Sequence, residues 1–255
     1  MDLLTPERFE EPGMVYAHGR AIFEAVASGE RPPTASITPS TRHVGVTRRD
    51  TLRPGFDEAV RVANGEGYPV LVRGAGGGAI AAGPGTLGFS IIRPAKPEER
   101  WKGTGERYDE AAALVLGAFS RLGFHRAEIG EVRDEFCPGD HSIRVGGFAD
   151  GMKIVGIAQR VTKRATSVGG IVLVHGEGDL ARVLGRVYGA MDLPFVVGSV
   201  GSLRRAGSAA EVEDVVRALA EEAQARYGAS PVSLDEGMLE LARAGREEFL
   251  VRLPE

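Results

Sequence analysis

The chain holds one cysteine, Cys137, in Phe136-Cys137-Pro138-Gly139-Asp140, a stretch that predicts a turn. A predicted β-hairpin follows and carries Lys153 in Gly151-Met152-Lys153-Ile154-Val155-Gly156. The thiolate is the reactive form of a cysteine, and a nearby cation favours it. A Cys/Lys pair whose cysteine becomes acylated is one way to pass an acyl group between two amines. The plainer alternative is that Cys137 packs as a small hydrophobe, a common fate for a free cysteine.

A glycine cluster, Gly74-Ala75-Gly76-Gly77-Gly78-Ala79-Ile80, follows a predicted strand. Gly74-x-Gly76-x-x-Ala79 superficially matches the dinucleotide fingerprint, which needs a helix directly behind it and an acidic residue about 20 positions on. Gly83-Pro84-Gly85 leaves no room for that helix, and residues 91 to 97 contain no Asp or Glu. No Gly-Lys-Ser/Thr follows, so the P-loop reading fails as well. What remains is bare backbone between two strands, whose N–H groups can cradle a carbonyl or phosphate. A tight structural hairpin accounts for the glycines equally well.

Side chains alternate across a strand, so Lys153, Val155, Ile157 and Gln159 are expected on one face. A lysine at the end of an apolar stripe suits a pocket where an aliphatic chain lies along Val155 and Ile157 and the ammonium meets a carbonyl. A strand-end lysine with its head in water is the ordinary alternative. Gly156, on the other face, would permit close packing with the glycine loop. Lys163 lies in the polar Thr162-Lys163-Arg164 stretch and reads as a solvated turn.

Three regions must position these groups. The first runs to about Pro97. It has a short helix from Gly19 to Gly29, strands at Ala35 to Thr38 and Val44 to Thr47, and a helix from Phe56 to Ala63. A strand follows at Pro69 to Arg73, and another returns at Leu87 to Ile92 after a Gly83-Pro84-Gly85 turn. The second region opens with a helix from about Glu106 to Leu122, with Gly123 as its stop signal. Strands from Ser142 to Phe148 and Lys153 to Arg160 are joined through Asp150-Gly151, a hairpin signal. Ser167 to Val174 is the third strand. From about residue 176 the chain is helical: Asp179 to Met191, Ala209 to Tyr227, and a last helix begun by a capping box at Ser233-Leu234-Asp235-Glu236. Strand pairs mixed with helices favour α+β over doubly wound α/β, in a single domain over 1–255.

Composition narrows the function classes. The net charge is -4 and Lys and Arg are scattered, which gives no case for a nucleic-acid binder. The five histidines lie far apart, without the close spacings of zinc sites, so no metal is expected. A lone cysteine cannot form an internal disulfide, and the acidic N-terminus lacks an apolar signal region, so a cytoplasmic home is expected. No run of about 18 apolar residues predicts a membrane span.

Together, Arg73-Gly-Ala-Gly-Gly-Gly-Ala79, Phe89-Ser90 and Met152-Lys153-Ile154-Val155-Gly156-Ile157-Ala158-Gln159-Arg160 resemble the lipoate–protein ligase and octanoyltransferase family over roughly residues 15 to 195. The resemblance implies a biotin/lipoate-ligase-like fold of mixed sheets flanked by helices. It implies that Arg73, Gly76, Gly77, Gly78, Val155, Gly156 and Ile157 bind the acyl group and that Lys153 orients its carbonyl. ATP-dependent ligases of the family commonly follow the glycines with an aromatic residue, His and Asp, and later Asn; Ala81, Ala82, Gly83 and Thr86 stand here. Phe136-Cys137-Pro138-Gly139 followed by Gly-Ile-Ala-Gln-Arg-Val looks instead like the octanoyl amidotransferase branch, as does Arg49-Asp50-Thr51-Leu52-Arg53-Pro54.

That branch takes an octanoyl group from the glycine cleavage H protein through a cysteine thioester. It passes the group to the lipoyl-domain lysine of a dehydrogenase complex, with no cofactor. The resemblance thus implies Cys137 as nucleophile, with Lys153 stabilising the thiolate or the oxyanion. An ATP-dependent lipoate ligase and a non-catalytic acyl-binding or partner-binding module are the rival readings. His141 is a candidate acid only through its nearness to Cys137 along the chain.

Overall fold

The computed structural model describes residues 1–95 and 103–253. The boundary expected near Pro97 lies outside them. The described strands are β1 (Asp2–Leu4), β2 (Thr34–Pro39), β3 (His43–Val46), β4 (Val70–Val72), β5 (Ile80–Ala82), β6 (Thr86–Pro94), β7 (Glu128–Ile129), β8 (Ile143–Val145), β9 (Met152–Val161), β10 (Ala165–Leu173) and β11 (Ser230–Pro231). The helices are α1 (Pro12–Ser28), α2 (Phe56–Gly65), α3 (Thr104–Arg121), α4 (Glu177–Ala190), α5 (Val212–Tyr227) and α6 (Glu236–Gly245).

An eight-stranded mixed sheet has the order β11-β1-β2-β6-β10-β9-β8-β7, and a three-stranded sheet has the order β4-β3-β5. β1 runs parallel to β2 and β11, and the other pairs of the large sheet are antiparallel. The fold is α+β, as the mixture of elements suggests.

Each side of the large sheet follows from alternation along its strands. Ala35, Ile37, Leu87, Phe89, Ile91, Val168 and Val172 point to one side. There they form the main core with Ala111, Val115 and Phe119 of α3 and Val215 and Leu219 of α5. The other side is covered by α1. A second core fills the space between the small sheet, α2 and α4, around Val44, Val60, Val70 and Leu184. The helices after residue 176 form no separate layer: α4 packs on α2, α5 on α3 and α6 on α1.

Several boundaries differ from the sequence reading. Helix α1 begins at Pro12, well before Gly19; proline suits the first helical turn, where its missing N–H costs nothing. The hairpin strand expected to Phe148 ends at Val145, because Gly146 turns into the left-handed region at φ +88°. Asp150-Gly151 is therefore the end of a longer connection, not a two-residue turn. The last helix is capped by Asp235, whose side chain accepts from the Met238 N–H at 3.1 Å, rather than by Ser233. The glycine cluster is not a hairpin either. β4 and β5 lie on opposite sides of β3, so the loop arches over the end of that strand.

Candidate active site

Cys137 lies in a tight connection between β7 and β8 that contains two non-glycine residues in the left-handed region, Asp134 at φ +50° and Cys137 at φ +43°. Each such residue carries a strain of about 1–2 kcal/mol that its surroundings must offset. A buried ion pair does this. Lys153, almost wholly buried, donates to Glu135 Oε1 at 2.9 Å, to the Phe136 carbonyl at 2.9 Å and to the Cys137 carbonyl at 2.8 Å. Glu135 also accepts from the Val132 N–H at 2.9 Å, the Gly139 N–H at 3.3 Å and the Ser142 hydroxyl. All three ammonium protons thus have acceptors within the protein. The lysine holds the carbonyls on either side of the cysteine's N–H, rather than pointing a free donor at the thiol.

Why Lys153 reaches that turn is a matter of register. Ile143 pairs with Val155 and Arg144 with Lys153, so β9 carries one extra residue, Ile154, against β8. A bulge of this kind shifts the alternation. Lys153 and Gly156 end on the same side: a Cβ built on Gly156 would meet Lys153 Cε at 3.1 Å and Phe136 Cε2 at 3.7 Å. The expectation that Lys153, Val155, Ile157 and Gln159 share one face is therefore corrected. Val155 is buried in the main core instead of lying along a pocket.

The glycine loop sits on the sulfur. The Gly78 N–H donates to Cys137 Sγ at 3.2 Å, and Arg73 Nη2 donates to it at 3.5 Å and to the Gly78 carbonyl at 2.7 Å. Gly77, at φ +98°, has its backbone so close to the thiol that a Cβ there would overlap Sγ. Only glycine fits this position, for both reasons. Gly76 fixes the arch to β9 by donating its N–H to the Gln159 carbonyl at 3.3 Å. Arg73 Nε is buried with no partner among the described residues. Two donors aimed at a half-buried thiol form the setting in which a cysteine acts as nucleophile.

Tyr188 ties the two segments together. Its hydroxyl accepts from the Cys137 N–H at 2.6 Å and donates to the Ala79 carbonyl at 3.0 Å. Burial pushes its phenol well above the ordinary tyrosine range, so it remains a donor. Tyr188 and Glu135 lie outside the sequence reading, since neither stands in a motif.

From Cys137 a cavity of about 280 Å³ runs between α1 and the large sheet. Arg73, Gly156 and Ile157 line it, whereas Gly76, Gly77 and Gly78 form the arch at its thiol end. The row Thr38–Gly88–Ile171–Gly156 crosses four strands on the cavity side. The next row is Ser36–Ser90–Gly169–Ala158. Arg160, whose guanidinium lies 4.2 Å over the Phe23 ring, borders the far end. Tyr16, His18 and His43 also face the cavity. His43 Nδ1 is 2.9 Å from the Thr41 carbonyl, which makes it the donor there, and its Nε2 then accepts from the Tyr16 hydroxyl at 3.1 Å. Burial lowers His43 to about 4 and raises Tyr16 to about 12, so both are neutral near pH 7. His141 stacks on Tyr108 and lies 3.3 Å from Asp109, away from this cavity.

The described residues contain no helix long and apolar enough to cross a membrane. In the turn before α2, Asp50 accepts from the Thr47 N–H and hydroxyl, each at 2.8 Å.

The chain is 29% identical to an octanoyl-[GcvH]:protein N-octanoyltransferase of Geobacillus kaustophilus, over 68% of this chain and 59% of the relative. It is 33% identical to a protein of the same name from Kyrpidia tusciae, over 66% and 57%. The chain thus matches a little over half the length of these relatives. A solved structure described as a putative lipoate protein ligase from T. acidophilum, with bound lipoic acid, superposes with a TM-score of 0.71 at 21% identity. That match covers 97% of this chain and 95% of the other and shows the shared fold. The family model for the lipoyl protein ligase A/B catalytic domain matches residues 12–224, and the chain belongs to that family.

Proposed function

We propose that the chain is an acyltransferase that moves an octanoyl or lipoyl group from a carrier, the glycine cleavage H protein, to a lipoyl-domain lysine of a dehydrogenase complex through a thioester on Cys137. The observation that carries this reading is the thiol itself: it opens onto an acyl-sized cavity while the Gly78 N–H and the Arg73 guanidinium point at its sulfur. The names of the relatives supply the donor.

In the first half-reaction the thiolate attacks the acyl carbonyl carbon. The C–S bond forms, the amide C–N bond breaks, and the leaving lysine amine takes up a proton. In the second, the amine of another lysine attacks the thioester; the C–N bond forms, the C–S bond breaks, the attacking amine releases a proton that balances the one taken up in the first, and the thiolate returns. Once the sulfur is acylated it carries no charge. The Gly78 N–H and the Arg73 Nη2–H that point at the sulfur are then free to meet the negative oxygen that develops at the carbonyl, the role of an oxyanion hole. Lys153 acts one step removed, by holding Cys137 in its left-handed conformation. Sequence reasoning gave the cation's role to Lys153; the geometry favours Arg73.

Intact-mass spectrometry tests this. Incubation with octanoylated carrier protein, in EDTA and without ATP, should add one octanoyl mass to the enzyme at Cys137, and added acceptor domain should remove it. If free octanoate with ATP and magnesium loads the acceptor while the acylated carrier does not, the ligase reading replaces this one.

A further inference from the structure

Cys137 is held through its own backbone from two sides. Its carbonyl accepts from Lys153 of β9 at 2.8 Å, and its N–H donates to the Tyr188 hydroxyl of α4 at 2.6 Å. Of these two holds, the second also reaches the glycine arch. The same hydroxyl donates to the Ala79 carbonyl at 3.0 Å, and a Cβ built on Gly78 would lie 3.6 Å from it and 3.8 Å from Cys137 Cα. One oxygen thus sets the spacing between the cysteine turn and the loop above it. Its own position is fixed: Tyr188 is 3% exposed in the second core, and the Phe195 ring lies 5.1 Å from its own.

Among the described residues, the other polar links between turn and arch are the Gly78 N–H and the Arg73 guanidinium, and both end on Sγ. Those links depend on the state of the sulfur. A thiolate is a charged acceptor; a sulfur bonded to an acyl carbon is a weak one, as thioether sulfur is. When the carbonyl is attacked, the same N–H groups turn to the developing oxygen. The arch therefore loses its hold on the turn at the moment when its donors must be in place. The Tyr188 bridge runs from backbone to backbone and is indifferent to what the sulfur carries. Donors aimed at a developing charge act only when they are held in position beforehand, and a displacement of about 1 Å costs on the order of 100-fold in rate.

We propose that Tyr188 is a positioning residue for acyl transfer: its hydroxyl keeps the Gly78 N–H and the Arg73 guanidinium at a fixed distance from Cys137 while the sulfur is acylated. Tyr188 lies outside the residues that line the cavity, so it acts through the arch and not on the acyl chain. The proposal rests on the thioester reading, and an acyl donor that bypasses the carrier protein separates the two.

That donor is p-nitrophenyl octanoate. The thiolate attacks its carbonyl carbon, the C–S bond forms, the C–O bond breaks and nitrophenolate leaves with the electron pair, so the same oxyanion develops with no carrier present. Tyr188→Phe removes one oxygen and keeps the ring. Its maximal acylation rate, read by nitrophenolate release, should fall about tenfold or more with the half-saturating ester concentration unchanged. Alkylation of the thiol by iodoacetamide builds no carbonyl oxyanion and should stay within about twofold of the parent rate. A merely structural role would slow both reactions together, and that result overturns the proposal. An unchanged acylation rate overturns it too, as does failure of the ester to acylate the parent protein. Circular dichroism verifies the fold. If Tyr188→Phe does not fold, Phe195→Leu loosens the ring packed on Tyr188 and should give the same split between the two reactions; equal effects on both, or none, overturn the proposal. If the ester results hold but octanoylated carrier protein never adds an acyl mass to Cys137, the carrier-dependent reading fails and the role of Tyr188 stands.

Discussion

The two sides of the large sheet are made by the same strands and have opposite characters. On the side under α3 and α5, β2, β6 and β10 present Ile37, Phe89, Ile91, Val168 and Val172, all buried in one core. On the side under α1, the alternate positions are Ser36, Thr38, Gly88, Ser90 and Gly169, and they border a cavity. The first set removes apolar area from water and stabilises the fold. The second gives up that stabilisation, since glycine and serine bury little apolar surface, and leaves room for a ligand. One pleated sheet thus keeps stability and function in separate sets of residues one position apart, and changes on the two sides should have separable effects.

The largest expected effect lies at the cavity's thiol end. Cys137→Ala should lower transfer by at least about a thousandfold, as loss of a nucleophile does. Unfolding by urea should be little changed, because the side chain is half-buried and lies outside the main core. Retained turnover would remove the thioester from the mechanism.

Lys153→Ala should break the separation, because this residue serves the site through the fold. It would leave Glu135 buried without its counter-charge, a loss of roughly 3–5 kcal/mol, and should lower turnover on the order of 100-fold by releasing the Cys137 turn. Lys163→Ala, in the exposed turn between β9 and β10, should change neither. Equal losses in the two variants would take Lys153 out of the site. A companion Glu135→Gln change, which removes the unpaired charge, should recover much of the stability but little of the activity.

A matched pair probes the two sides directly. A Cβ on Gly88 would meet nothing closer than 3.8 Å, so Gly88→Leu should fold and place its side chain in the cavity. Its kcat/KM should fall about tenfold or more, the cost of losing access for the acyl chain, with little change in stability. Ile91→Ala, on the core side, should cost about 2–5 kcal/mol of stability and leave kcat unchanged at temperatures where the variant is folded. A kcat loss in Ile91→Ala matching that in Gly88→Leu would show that the two sides are coupled.

The last effect appears only in acid. His18 and His43 are both lowered from 6.5 to about 4 in the folded protein. The unfolded chain therefore takes up these protons first. The stability from keeping the rings neutral is complete above pH 6.5 and is lost as pH falls toward 4, by about 1.4 kcal/mol per unit for each ring. His18→Phe should remove about half of that slope in urea titrations. An unchanged slope would show that His18 is not buried as a neutral ring.

Much of this was legible in the sequence where the chain announces itself locally. Gly77 and Cys137 stood out because a glycine run and a lone cysteine are unusual, and the structure brings both together with Arg73. The strands around Phe89 and Val168 followed from β-branched and aromatic runs. What was not legible depends on partners far along the chain. Ile154 becomes a bulge only because β8 pairs with it in a shifted register, and nothing in Met152–Val161 itself marks the extra residue. That one residue moved Val155 from the expected pocket into the core. Tyr188 lies in an ordinary amphipathic helix, and its contact with Cys137 exists only once α4 packs beside the glycine loop. Ser36 looked like an unremarkable strand residue, and Ser90 stood out only with Phe89 in the family pattern, until their pairing placed them opposite each other.

The glycine arch has a bearing on timing. Gly77 lies too close to Cys137 Sγ for a methyl group to fit between them, and a water molecule has no more room on that side. An acyl group carried by the sulfur, as the proposed mechanism requires, would be screened from water along the face that the arch covers. Under the proposed transfer two protein substrates would share this thiol in turn, and the bare backbone over Cys137 would then act as the clock that lets a two-visit reaction run without wasting its cargo.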